Sequence, residues 1–398
     1  MNTTSRIHQT FEKGQGIFRM APAWVARNFN QPGQRLRLHP DDYFALGMQR
    51  GAIKERWFSS VVAASMDPNT PKDEGMSYIS CSDTPSDKIL FKDAITELGE
   101  SLIGVELMGK YGTWPMYSKF FDYKLALFHH MHLDNTAAKR VGRLGKPEAY
   151  YFPAQLNNYP GEFPVTYFGF DPGVRKEMVR ERLLDFEHRD TRLTELSRAY
   201  RLTVGTGWYI PAGVVHAPGS LLTYEPQWNS DVGAIFENVS SGEINPRQLL
   251  VNDVPENRRQ DVDYIISMMD WEKNIDPHFS EHYFRPPVPS PTSDEGFEEK
   301  WITYGNPYFS AKELSVAPGA TVTVRDGAAY GCILVQGHGI FGFYEAEAAI
   351  LLRYGQLSAD EYFVSEQAAR TGVTITNHSH FEPLVVLKHF GPNHPDAP

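Results

Sequence analysis

The chain has 398 residues, 41% hydrophobic and 13% aromatic, which is core enough for two or three domains and too apolar for a disordered protein. Its formal charge of −11 argues against nucleic acid or an anionic membrane as partner, since both are met by clustered Lys and Arg. Cys81 and Cys332 are far apart and outside any Cys-x-x-Cys, so neither a disulfide framework nor a thiolate metal site is indicated. With no signal-peptide core and no run of roughly 18 apolar residues, the chain reads as cytoplasmic.

Residues 1–110 mix aromatic-rich short strands, as at 56–63, with polar loops such as 66–75, and read as an accessory segment packed on the β domains of the later chain. Within them Ile95, Leu98, Leu102 and Ile103 have helical spacing, predicting a helix over 94–107 that Tyr111-Gly-Thr-Trp-Pro ends. Residues 115–133 read as strand. The charged stretch 172–199, with Val174, Met178, Val179, Leu183 and Leu184 on one side, reads as a solvated helical insertion. Strands resume from Tyr200 to Val239, and 258–271 is amphipathic and helical. The proline-rich run at 285–295 reads as an extended linker, completing a helix-and-linker segment over 256–294. From Phe309 to Lys388, short β segments alternate with turns at Pro318-Gly, Asp326-Gly, Gly337-His-Gly and Tyr354-Gly, the pattern of a small barrel or sandwich. Since 111–255 has the same texture as 295–398, the chain reads as mainly β, with two related barrels in tandem.

Histidines carry the chemistry. Along a strand, His130 and His132 point to one face and His129 and Met131 to the other, so two imidazoles can reach one ion. A His-x-His on an apolar strand is often only a satisfied core pair. Here it is joined by Glu148, in Leu144-Gly-Lys-Pro-Glu, and by His216, which Ile210-Pro-Ala-Gly-Val-Val delivers through a tight turn. Three imidazoles and one carboxylate suit Zn²⁺, Fe²⁺, Mn²⁺ or Ni²⁺ and leave room for water or substrate. By contrast, Asn377-His-Ser-His lacks an accompanying carboxylate or turn motif, and His278 and His282 lie in a polar, solvated segment.

These motifs, in this order, resemble type I mannose-6-phosphate isomerases, two-cupin zinc enzymes that interconvert mannose 6-phosphate and fructose 6-phosphate. Tyr111-Gly-Thr-Trp-Pro-Met-Tyr-Ser-Lys-Phe-Phe-Asp is similar to the family's Tyr-Gly-x-x-(Phe)-Pro-x-x-x-Lys-x-x-Asp run. His130-Met-His132 stands where the family has Gln-x-His, and Gly145-Lys-Pro-Glu148 and Ile210-Pro-Ala-Gly-Val-Val-His216 match two further motifs. Glu225-Pro-Gln-Trp-Asn-Ser-Asp231 resembles Glu-x-Gln-x-x-Ser-Asp.

The resemblance implies tandem cupin barrels with one divalent metal, Zn²⁺ foremost, on His130, His132, Glu148 and His216 in the first. It also implies a small sugar or sugar phosphate as substrate, with Glu225 as the proton-transfer residue. Glu225 stands in an apolar run where burial would raise its pKa, while Lys119 and Lys146 would supply positive charge and Asp231 would organise a turn. Three departures stand out. His130 replaces the glutamine, Ile235 replaces an arginine near the reacting sugar, and Phe128 replaces a small hydroxyl residue near the phosphate. They point to an altered substrate, unless Arg140 or Arg143 supplies the missing charge. A cupin dioxygenase on a three-His, one-Glu iron site and a non-catalytic sugar-binding protein are the alternative readings.

Overall fold

The computed structural model describes residues 2–65, 70–159 and 161–398; part of the loop read at 66–75 lies outside them. The chain is mainly β, in antiparallel sheets stacked in layers. A seven-stranded sheet runs Phe284–Arg285, Gly207–Ile210, Glu148–Tyr151, Thr223–Trp228, Met116–Phe121, Ala52–Phe58, Ala23–Arg27. A five-stranded sheet runs Ser197–Arg201, Val165–Phe170, His216–Ala217, His130–Met131, Ala234–Ile235. Phe121, Tyr150, Phe168, Trp208 and Ile210 fill the space between these two sheets. On its other face the five-stranded sheet buries Met131, Val215 and Ala234 against helices Lys176–Leu184 and Val262–Ser267. The seven-stranded sheet turns its other face, through Phe120, Tyr151 and Tyr224, to a nine-stranded sheet formed largely by the C-terminal residues. Layers of this kind follow from alternation along each strand, which gives an inner sheet two apolar faces to bury.

Several local expectations are revised. The helix over 94–107 is three pieces, Phe91–Leu98, Glu100–Ile103 and Val105–Tyr111, because Gly99 and Gly104 both take positive φ between them. Helix in the 172–199 stretch is confined to Lys176–Leu184, and Ser197–Arg201 is already strand. That helix keeps Lys176, Glu177 and Glu181 exposed and drives Val179 and Leu183 fully into the core. The proline-rich run is extended and pairs at two sheet edges. Phe284–Arg285 pairs with the Gly207 strand at one edge and Val288–Pro289 with the Trp301 strand at another. Edge positions tolerate prolines, whose missing N–H would break a central ladder.

One feature of the early chain matters for the site. Strands Ala23–Arg27 and Ala52–Phe58 extend the seven-stranded sheet, with Trp57 in register with Lys119. In the C-terminal part the interior holds a closed ion-pair cluster, with Lys312 at 2.8 Å and Lys388 at 2.7 Å from Asp326, and Glu299 as their shared second partner. His378 and His380 stand outside it, exposed. No helix among the described residues is long and apolar enough to cross a membrane.

Candidate metal centre and active site

The two facing sheets bring the four ligand candidates together from three separate segments. His216 and His130 are cross-strand partners in the five-stranded sheet, their rings 4.2 Å apart between centroids. Only His130 and Met131 are laddered, yet His132 still reaches the same side, its ring 5.0 Å from that of His130. Glu148 comes from the opposite sheet, in register with Ile210. One ligand atom from each of His130, His132, Glu148 and His216 lies within 4.8 Å of the others. His129 faces away, as alternation requires, and pairs with Glu237 at 2.9 Å.

The surroundings set the chemistry of these atoms. Each imidazole directs Nδ1 to a backbone carbonyl: His130 to Phe128 at 3.0 Å, His132 to Val232 at 2.7 Å, His216 to Val214 at 2.9 Å. With Nδ1 donating its proton there, Nε2 keeps its lone pair and points inward, the tautomer a metal needs. Burial lowers the His130 pKa well below its usual value, with His216 and His132 adding to the effect, and lowers that of His132 to about 4. Both rings are therefore neutral. Burial alone would raise Glu148, but His132 and Lys146 hold its carboxyl well below the usual range. The Tyr150 hydroxyl donates to Glu148 Oε1 at 2.6 Å. Among the described residues His216 Nε2 and Glu148 Oε2 are buried without a hydrogen bond, although the Lys146 ammonium stands 2.9 Å from Glu148 Oε2. His132 Nε2 accepts from the Lys146 ammonium at 2.9 Å and His216 Nε2 stands 3.0 Å from Glu148 Oε1, so imidazole and carboxylate lone pairs converge on a point that already draws in one cation, which fits a divalent ion.

A turn delivers His216. Gly213, at φ +87, donates its N–H to the carbonyl of His132 at 2.8 Å. Its own carbonyl accepts from the Asn274 side chain at 2.7 Å, and Asn274 in turn accepts from the Val215 N–H at 2.8 Å. Gly213→Ala would place a methyl 3.0 Å from Asp270 in a backbone region that L residues avoid. The expected cost is about 1–2 kcal/mol of folding stability, with weaker metal uptake. Chemical denaturation and metal titration of the variant check this.

Beside the candidate ligands the seven-stranded sheet contributes a buried carboxyl. Glu225 lies directly opposite Lys119 in the ladder, with Lys119 Nζ at 3.3 Å and Lys146 Nζ at 3.6 Å from Glu225 Oε1. Burial and the neighbouring Glu148 push the Glu225 carboxyl up to about 8 against the pull of both lysines. Despite its own burial, Lys146 is raised to about 12 by Glu148 and Glu225. Neither lysine is a surface residue.

A cavity opens over these groups. Phe128 and Ile235 line it. So do two charged residues that no motif marked, Arg27 and Glu55, and Asp231, which closes the Glu225–Asp231 motif. Arg27 binds Glu55 through Nε at 2.8 Å and Nη2 at 3.1 Å, and Asp231 takes the Ser65 N–H at 2.9 Å. Charges embedded in the aromatic strands Ala23–Arg27 and Ala52–Phe58 were the available signal. Arg140 and Arg143 do not line the cavity; Arg140 rests on the Tyr264 hydroxyl and Arg143 on Ser65.

Neither a family model nor a curated protein sequence matches the chain. Solved structures do. It superposes on the mannose 6-phosphate isomerase from Bacillus subtilis with a TM-score of 0.60 at 18% identity, covering 94% of this chain and 99% of that one. A zinc-bound mannose 6-phosphate isomerase gives 0.59 at 12% identity, with 95% and 100% covered. A variant of phosphomannose isomerase from Salmonella typhimurium gives 0.58 at 11% identity, with 94% and 99% covered. The chain shares their fold over nearly its whole length. At these identities the likeness carries the fold alone.

Proposed function

We propose that the protein is a metal-dependent aldose–ketose isomerase acting on a small sugar or sugar phosphate. In this reading it consists of two cupin barrels: residues 111–255 hold one divalent ion, Zn²⁺ foremost, on His130, His132, Glu148 and His216. Residues 295–398 form a second barrel without metal, and 1–110 pack on both. The observation that carries the reading is Glu225, a buried carboxyl poised near neutral pH between two ammonium groups, one of which also touches the ligand set.

Such an arrangement performs proton transfer between adjacent carbons. A divalent ion at the four ligands would polarise the sugar's C1 and C2 oxygens. Ionised Glu225 takes the proton from C2 of the aldose, the C–H electron pair becomes the C1=C2 bond, and the C1 oxygen gains a proton. Glu225 then returns its proton to C1 while the C2 oxygen becomes the ketone, its hydroxyl proton being the one that the C1 oxygen gained. Lys119 and Lys146 stabilise the negative charge that develops on the enediol oxygens.

Three histidines and one glutamate also suit an iron dioxygenase, but oxygen chemistry requires neither the buried base nor the flanking lysines. The test is solvent deuterium incorporation at C2 across a panel of free and phosphorylated aldoses, with oxygen consumption followed in parallel. Exchange without oxygen uptake is expected. Substrate loss coupled to oxygen uptake would replace the isomerase by the dioxygenase.

A further inference from the structure

The cavity contains three cations, and none is free. Arg27 is closed onto Glu55 by two hydrogen bonds, at 2.8 and 3.1 Å. That carboxylate is held from its other sides by the Tyr123 hydroxyl at 2.6 Å and the Trp57 indole N–H at 2.8 Å. Lys119 stands 3.3 Å from Glu225 and 3.8 Å from Glu55. Lys146 stands 2.9 Å from Glu148 and 3.6 Å from Glu225. The side chains of all six residues are at most 7% exposed, so a displaced partner would be left as a buried charge far from water.

Among the described residues the rest of the wall offers no substitute. Phe29, Leu127, Phe128, Pro218, Val232 and Ile235 line it, and Phe29 and Phe128 pack edge to face with centroids 4.9 Å apart. Ile235 is 2% exposed and in register with His130, at the place where a longer cationic side chain would reach the cavity. A dianionic phosphate needs unpaired Arg or Lys donors or a row of backbone N–H groups. Sugar hydroxyls need less. They donate to carboxylates and accept from ammonium groups that keep their partners, and a sugar's C–H faces suit an apolar wall.

We infer that this site takes an uncharged sugar and discriminates against its phosphate ester, through cations already committed to buried carboxylates and a wall lined by Phe128 and Ile235. The inference rests on the reading of the site as a sugar isomerase and names its substrate class.

Binding of inert polyols tests it apart from turnover. Zinc-loaded protein is titrated calorimetrically with D-mannitol and with D-mannitol 1-phosphate, which lack the carbonyl and cannot react. Mannitol is expected to bind at least about tenfold more tightly. In Ile235→Arg, which adds a cation to the cavity wall, the ratio should shrink or invert while the metal content stays at the wild-type level. Tighter binding of the phosphate ester by the wild type, or no binding of either polyol, overturns the inference. Deuterium exchange on phosphorylated aldoses exceeding that on free ones also overturns it and leaves the isomerase standing. Preferential mannitol binding with no exchange on any aldose does the reverse, supporting the uncharged ligand and removing the isomerase.

Discussion

His216→Ala is expected to purify without metal, whereas the wild type carries one divalent ion per chain. The ligand atoms of the four residues lie within 4.8 Å of one another, and each imidazole is aimed by a hydrogen bond from Nδ1 to backbone, so the site is set before the ion arrives. Removing one of four ligands takes away a directed bond, and no other described His, Cys, Asp or Glu joins this group to replace it. His132→Ala should behave alike. The control is at the other end of the chain, where His378→Ala and His380→Ala change exposed side chains and should leave the metal in place. Metal per chain, measured by elemental analysis after gel filtration, decides. Full stoichiometry in both His216→Ala and His132→Ala, with loss in the His378 or His380 variants, would put the centre in the wrong half of the molecule.

Much of this centre was legible because its grammar is local. The face shared by His130 and His132 follows from strand alternation, and the delivery of His216 from a Pro-Ala-Gly turn that the structure pins with Asn274. Glu225 was legible as an acid in an apolar run, and its raised pKa follows from the burial that run produces. What stayed hidden depends on sheet order. Arg27 and Glu55 reach the cavity because Ala23–Arg27 and Ala52–Phe58 lie beside the Lys119 strand, a neighbourhood that no local periodicity encodes. The same limit explains Arg140 and Arg143. Their sequence distance from Glu148 is short, but their side chains are taken by Tyr264 and Ser65. The helix over 94–107 failed differently, since its apolar spacing continues across two glycines whose positive φ breaks the ladder.

Glu225→Gln should keep metal and polyol binding and lose at least ~10²-fold in C2 proton exchange. The amide keeps the shape and the hydrogen-bonding reach of the carboxylate, so Lys119 and Lys146 retain an acceptor at the same place, but it cannot take a proton. The pH profile gives an independent signature. An acid whose pKa is raised by burial is protonated and idle at low pH and becomes a base as pH climbs, so wild-type kcat/KM should rise with pH toward a plateau. Without metal that carboxyl sits at about 8; with a divalent ion nearby its anionic form is favoured, so the limb should fall at lower pH. In Glu225→Gln the limb should vanish along with the rate. Conversely, Lys119→Met removes a neighbour that favours the charged form, so its limb should move to higher pH while the metal stays bound. Undiminished exchange in Glu225→Gln, with the same rising limb as the wild type, would assign the base to another residue and take Glu225 back to a structural carboxylate.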